Sequence, residues 1–232
     1  MIWKLIGSVF AMAMLPALAL TVLQSRIVLH YLQKPGVRYF YTTTEKVLAL
    51  TIDDGPDPRT TPVILKVLRE YNVKATFFLI GSKVQMYPYL VQQIINDGHQ
   101  IGNHDYHDFA SVLRSKTFAE NLDRTHQLLM SYQTPTIFRP GCGFYANWML
   151  DILKPFKYQC ILGNIYPHDV AFSWRQFLVN YIVWRASPGS IIILHDGRPK
   201  LHTETTLGII IPVLQRRGYT FATISEMESR YS

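Results

Sequence analysis

Val47-Leu48-Ala49-Leu50-Thr51-Ile52-Asp53-Asp54-Gly55-Pro56 is the stretch on which the reading of the chain turns. Its first six residues are β-rich and almost continuously apolar, the pattern of a strand covered on both faces, as in a parallel sheet. Two carboxylates follow at once, and Gly-Pro then turns the chain. Ionised side by side, such carboxylates repel, and burial raises the cost. A bound cation or a nearby arginine removes that cost; a solvated turn ahead of a helix is the plainer alternative.

Similar runs lie further along, at 75–80, 100–102, 136–138, 159–162, 190–194 and 220–224, with helical periodicity between several of them. Thr61 is a candidate N-cap with Pro62 at the first helical position, and Ile64, Val67, Leu68 and Tyr71 share one face. Thr117 and Glu120 have capping-box spacing ahead of Leu122 and Leu129. Leu207, Ile210, Ile211 and Leu214 form another stripe, stopped by Gly218. Strands alternating with helices predict an α/β domain with a largely parallel sheet. About 180 residues is short for a full eight-fold barrel, so a distorted, incomplete (β/α) barrel or an open sheet is expected.

Among the 232 residues, 48% are hydrophobic and 17% charged, which excludes a disordered chain. The net charge of +7 is spread over scattered Lys and Arg, with no dense basic run, so no nucleic-acid partner is expected. Two cysteines, Cys142 and Cys160, are too few for a disulfide framework or a cysteine zinc site and read as buried free thiols. The run from Leu5 to Leu23 is apolar apart from small or weakly polar residues and approaches the ~20 residues of a membrane span. It fits a signal peptide equally well, with Lys4 ahead of it and Ala17-Leu18-Ala19 as a cleavage site. The chain is therefore expected to be membrane-anchored or exported, on the extracytoplasmic side, with the membrane a partner through this segment. The expected organisation is a segment 1–23, a connector 24–45 and a domain 46–226.

Polar residues gather where the apolar runs end, which in a parallel barrel is where catalytic groups collect. The third run delivers Gly102-Asn103-His104-Asp105-Tyr106-His107-Asp108, in which His104 and Asp108 share a face if the segment turns helically. With Asp54 they would make a mixed oxygen and imidazole site for a divalent metal, and His107 is the competing ligand. The fourth run ends in Phe138-Arg139-Pro140-Gly141-Cys142-Gly143, where Arg139 could hold a carboxylate. The sixth delivers His195-Asp196-Gly197, and a His at the mouth of an apolar strand is a general-acid candidate.

Thr51-Ile52-Asp53-Asp54-Gly55-Pro56, Gly102-Asn103-His104, Arg139-Pro140 and Leu194-His195-Asp196 together resemble the ordered motifs of the polysaccharide deacetylase family, the NodB-homology or carbohydrate esterase family 4 domain. The resemblance covers roughly residues 46–226. It implies a NodB-type distorted (β/α) barrel and metal-dependent hydrolysis of the N-acetyl group of an N-acetylated glycan, chitin-like or peptidoglycan. It further implies Asp53 as general base, Asp54 and His104 as metal ligands, His195 as general acid, Arg139 as the residue orienting Asp53, and the backbone N–H near Cys142 as an oxyanion donor. The implied cofactor is a divalent metal ion, Zn first, with Co, Mn or Ni as alternatives. The chain departs from the family where a second His is usual, since Asp108 stands there, and where an aromatic is frequent, since Cys142 stands there. In place of a Trp-bearing motif it has Gly163-Asn164-Ile165-Tyr166-Pro167-His168-Asp169, whose Asp169 is a candidate to orient His195.

Overall fold

The computed structural model describes residues 24–108, 111–113, 115–170, 174–197 and 202–231. The expected anchor or signal segment, 1–23, lies outside them. Among the described residues no helix is long and apolar enough to cross a membrane.

The strands are β1 (Val37–Arg38), β2 (Val47–Gly55), β3 (Thr76–Leu79), β4 (Gln100–Asn103), β5 (Ile137–Phe138), β6 (Gln159–Ile161), β7 (Ile191–His195) and β8 (Thr220–Ala222). They run β1-β6-β5-β4-β3-β2-β7, with β8 also on β2, and every pair is parallel. The curve nearly closes where Ile165, just past β6, bridges to Ile192 of β7. This is the incomplete (β/α) barrel expected from the alternation of runs. Around it lie α1 (Arg26–Leu32), α2 (Thr61–Glu70), α3 (Gly81–Met86), α4 (Pro88–Asn96), α5 (Ser115–Met130), α6 (Asn147–Leu153), α7 (Arg175–Arg185), α8 (Thr203–Arg216) and α9 (Ile224–Tyr231).

Strand alternation sorts β2 into two faces. Leu48, Leu50 and Ile52 pack outward with Ile64, Leu65 and Leu68 of α2, Ile182 of α7 and Leu207, Ile210 and Leu214 of α8. Val47 and Ala49 pack inward with Phe78, Ile137, Ile161 and Ile191. By the same parity Thr51 and Asp53 point into the barrel. A third cluster joins Phe118 and Leu122 of α5 and Met149 and Leu153 of α6 to Phe138 and Cys160.

Two helix starts differ from expectation. Helix α2 begins at Thr61, with Thr60 in the cap position and no side-chain cap. Both hydroxyls instead donate to the buried carboxylate of Asp196, which needs donors more than the helix end does. Helix α5 begins at Ser115, so Thr117 lies inside its first turn.

Residues 24–45 are packed into the domain. β1 pairs with β6, Val37 opposite Cys160. The Arg26 guanidinium donates to the carbonyls of Pro188 at 2.6 Å and Tyr41 at 2.9 Å and lies 4.2 Å from the Phe40 ring centroid. A chain beginning at Lys46 loses all of this, and thermal unfolding followed by circular dichroism should place its midpoint at least ~4 °C below that of a chain beginning at Gln24. Equal midpoints would make the segment a dispensable link.

Candidate active site

Alternation along β2 would send Asp53 and Asp54 to opposite faces. The structure avoids this with a left-handed backbone at Asp54, φ 70, and a shift in the β2–β3 register between Asp53 and Gly55. Aspartate is among the few residues that adopt this conformation readily. Lys83 Nζ holds the turn by donating to the Asp54 carbonyl at 2.7 Å. On the other side Asp53 stands directly opposite His195 of β7. Three side chains of the expected site thus meet at one end of adjacent strands.

Arg139 lies almost fully buried just beyond β5. Its Nη1 donates to Asp53 Oδ1 at 2.6 Å and to Thr51 Oγ1 at 2.7 Å; Nε and Nη2 donate to the carbonyls of Ile161 at 3.0 Å and Leu162 at 2.6 Å. The guanidinium also sits 4.1 Å from the centroid of Phe78. Gly102 makes room for that ring, since a Cβ there would come within 2.8 Å of it. A charged guanidinium held at its nitrogens and its face keeps Asp53 fixed in one orientation.

His104 follows β4. Its Nδ1 donates to the carbonyl of Arg139 at 2.7 Å, which leaves Nε2 facing Asp54 Oδ1 at 3.3 Å. Burial opposes a charged imidazole here, but the hydrogen bond to Asp54 and the charges of Asp53 and Asp54 outweigh it and raise the His104 pKa. Burial likewise pushes the Asp54 carboxyl up, and the bond to His104 with the charges of His104, His195 and Lys83 brings it down to about 2. An imidazole whose far nitrogen is pinned to a carbonyl, facing an ionised carboxylate, is an arrangement suited to a divalent cation. A cation there would compete with the His104 proton.

His195 is fixed from a different direction. Its Nδ1 lies 2.8 Å from Asp169 Oδ1, and its backbone N–H donates to Asp169 Oδ2 at 3.0 Å. Burial lowers the imidazole pKa, but the bond and charge of Asp169, with the charges of Asp53 and Asp54, raise it to about 9. The protonated form therefore persists through neutral pH and is lost as pH rises. The loop carrying Asp169 is held in turn by Gln24. The Gln24 side chain accepts from the Tyr166 N–H and donates to the Tyr166 carbonyl, both at 3.2 Å, and its Nε2 lies 3.2 Å from His168 Nε2.

Comparison with known proteins settles the family. The polysaccharide deacetylase profile matches residues 40–161. The chain belongs to the polysaccharide deacetylase family. It is 39% identical over 188 residues to a peptidoglycan-N-acetylglucosamine deacetylase of Bacillus cereus, covering 79% of this chain and 88% of that one. Among solved structures, the Bc1960 peptidoglycan N-acetylglucosamine deacetylase superposes with a TM-score of 0.78 at 29% identity, covering 83% of this chain and 92% of that one. A family 4 acetyl xylan esterase of Clostridium thermocellum, solved with a cobalt ion, gives 0.72 at 32% identity over 79% of this chain and 91% of that one.

Within this family frame Asp53, Asp54, His104, Arg139, Asp169 and His195 come together around one mouth. Asp108 does not join them. Asp105 takes a left-handed φ of 68, so residues 104–108 bend rather than turn helically, and Asp108 ends exposed. His107 is exposed as well, edge-on to Tyr106. Among the described residues no group of three or more His, Cys, Asp or Glu is placed to hold a metal, so Asp54 and His104 stand as a two-donor site. Cys142 is exposed with φ 63, against the expectation of burial, because it sits on a tight left-handed turn after Pro140; Cys160 is buried, and both thiols are free. Gln24 and Lys83, which steady backbone around the site, carry no motif signal and were not legible as site residues.

Asp169→Asn removes the charge that most favours protonated His195. The alkaline limb of the kcat profile should move to lower pH, and kcat should fall at least ~10²-fold; an unmoved limb would detach Asp169 from the proton-bearing group. Gln24→Ala should shift the same limb downward with a smaller, several-fold loss in kcat, whereas a purely structural role would lower the melting midpoint and leave the limb in place.

Proposed function

We propose that this chain removes the acetyl group from N-acetylhexosamine residues of a glycan, of peptidoglycan or chitin type, releasing acetate. The observation that carries the reading is Asp53 and His195 side by side on paired strands, each fixed by its own buried partner, Arg139 and Asp169. Asp53, held at 2.6 Å by the Arg139 guanidinium, is the group that takes a proton from the attacking water. His195, kept protonated by Asp169, gives a proton to the amine nitrogen as the C–N bond breaks. A carboxylate and an imidazole on neighbouring strands are what a hydrolysis needing both a base and an acid requires.

Asp54 and His104 would hold a divalent cation, zinc first among the candidates with cobalt, manganese or nickel behind it, and such a cation supplies polarisation of the acetyl carbonyl and acidification of the attacking water. The backbone N–H at Cys142 is the donor we assign to the developing oxyanion. A third protein ligand, Asp108 or His107, would require residues 104–108 to fold inward. The apolar run up to Leu23 supports a domain that is tethered to, or exported across, a membrane.

Acetate release by the full chain from N-acetylglucosamine oligomers and peptidoglycan fragments tests this. Release should vanish with chelator and return with zinc or cobalt. Asp53→Asn should keep the metal and lose ~10²-fold or more in kcat, while Asp54→Ala should lose the metal as well. Turnover that survives chelation would remove the cation from the mechanism, and full turnover in Asp53→Asn would remove the base.

A further inference from the structure

Helix α7 is apolar on two sides. Leu178, Val179, Ile182 and Val183 face the core. Around the other side run Trp174, immediately before the helix, then Phe177, Tyr181 and Trp184, at the spacing of a single helical stripe. Trp174 is 81% exposed, Trp184 70% and Phe177 49%. The Phe177 and Tyr181 rings stack with centroids 6.0 Å apart. An amphipathic helix at a protein surface would carry charged and polar groups there instead. Contiguous aromatic exposure of this kind marks a surface that something covers.

Two further observations choose the occupant. The apolar run 5–23 hands the chain to Gln24, and the Tyr181 hydroxyl donates to Gln24 Oε1 at 2.6 Å, so that run joins the domain at the stripe itself. Helix α7 carries Arg175 and Arg185 and no acidic residue, in a chain of net charge +7. Trp and Tyr at the water–lipid boundary, with arginines beside them, are the composition that lies in the headgroup region of a bilayer.

We propose that the outer face of α7, from Trp174 to Trp184, rests in the interface of an anionic phospholipid bilayer. The domain is then laid against the membrane along a defined side and does not hang from a flexible tether. Because α7 leads into β7, which runs parallel to the other strands, the Trp174 end of the helix lies at the same end of the barrel as His195. The mouth of the site opens beside the bilayer, and the glycan it meets there is one close to the membrane surface. This orientation does not depend on which reaction the site performs.

The test uses the full chain with Trp3→Phe throughout, in vesicles of phosphatidylethanolamine and phosphatidylglycerol, with and without acyl chains brominated near the headgroups. Brominated lipid should quench most of the tryptophan emission, and vesicles should shield it from iodide. In the Trp174→Ser, Trp184→Ser double variant, which should keep its circular dichroism spectrum and melting midpoint because both positions are at the surface, that quenching should be largely lost. Emission from Trp174 and Trp184 that stays open to iodide in vesicles would overturn the proposal. So would shielding without bromolipid quenching, which would mean that residues 1–23 or a second copy of the chain cover the stripe.

Discussion

A guanidinium buried inside a parallel barrel must find an acceptor for each donor it brings, and at Arg139 the acceptors come from strands that are not neighbours. Thr51 and Asp53 belong to β2, the carbonyl of Ile161 to β6, and Arg139 itself follows β5. In the sheet order β4 and β3 separate β5 from β2, so the side chain spans the interior as a strut. Breaking a buried pair by removing one partner costs about 3–5 kcal/mol, because the other charge is left uncompensated. The same contact that stabilises the barrel therefore fixes the direction of Asp53. Stability and chemistry cannot be tuned separately at this position.

Around that strut the site divides into parts with independent supports. Asp53 depends on Arg139, His195 on Asp169, and the Asp54–His104 pair on a left-handed turn and a backbone carbonyl. Asp196, next to His195, serves none of these. Its buried carboxylate takes the hydroxyls of Thr60 and Thr61 and so binds the end of β7 to the start of α2. Its pKa is raised by burial, opposed by those hydrogen bonds. Neighbouring residues in one motif thus carry unlike duties, one toward the reacting centre and one toward the frame.

The apolar runs placed the strands well because strands covered on both faces leave an unbroken signal, and the residues at their ends were legible for the same reason. β1 escaped because two residues, Val37 and Arg38, make no run, and their partner β6 is distant in sequence. The cap at Thr61 was displaced by Asp196, a tertiary contact that local pattern does not contain. His104 and Asp108 have helical spacing, but a single left-handed residue, Asp105, breaks the geometry that spacing assumes. Gln24 was invisible altogether: a glutamine that clamps a backbone 142 residues away is chemically ordinary until the fold brings the two together.

The interior beneath the catalytic groups has a further meaning. Tyr41, Phe78, Ile137, Ile161, Ile191 and Arg139 fill the bore of the barrel and are essentially without exposure. Among the described residues these side chains plug the bore, so an acetylated sugar would approach by the doorway at the strand ends. Acetate and the free amine would then leave by the way the substrate came in. A polymer strand lying across that doorway would stand over the acetate it has just released, so turnover on long glycans depends on how readily the strand lifts or slides.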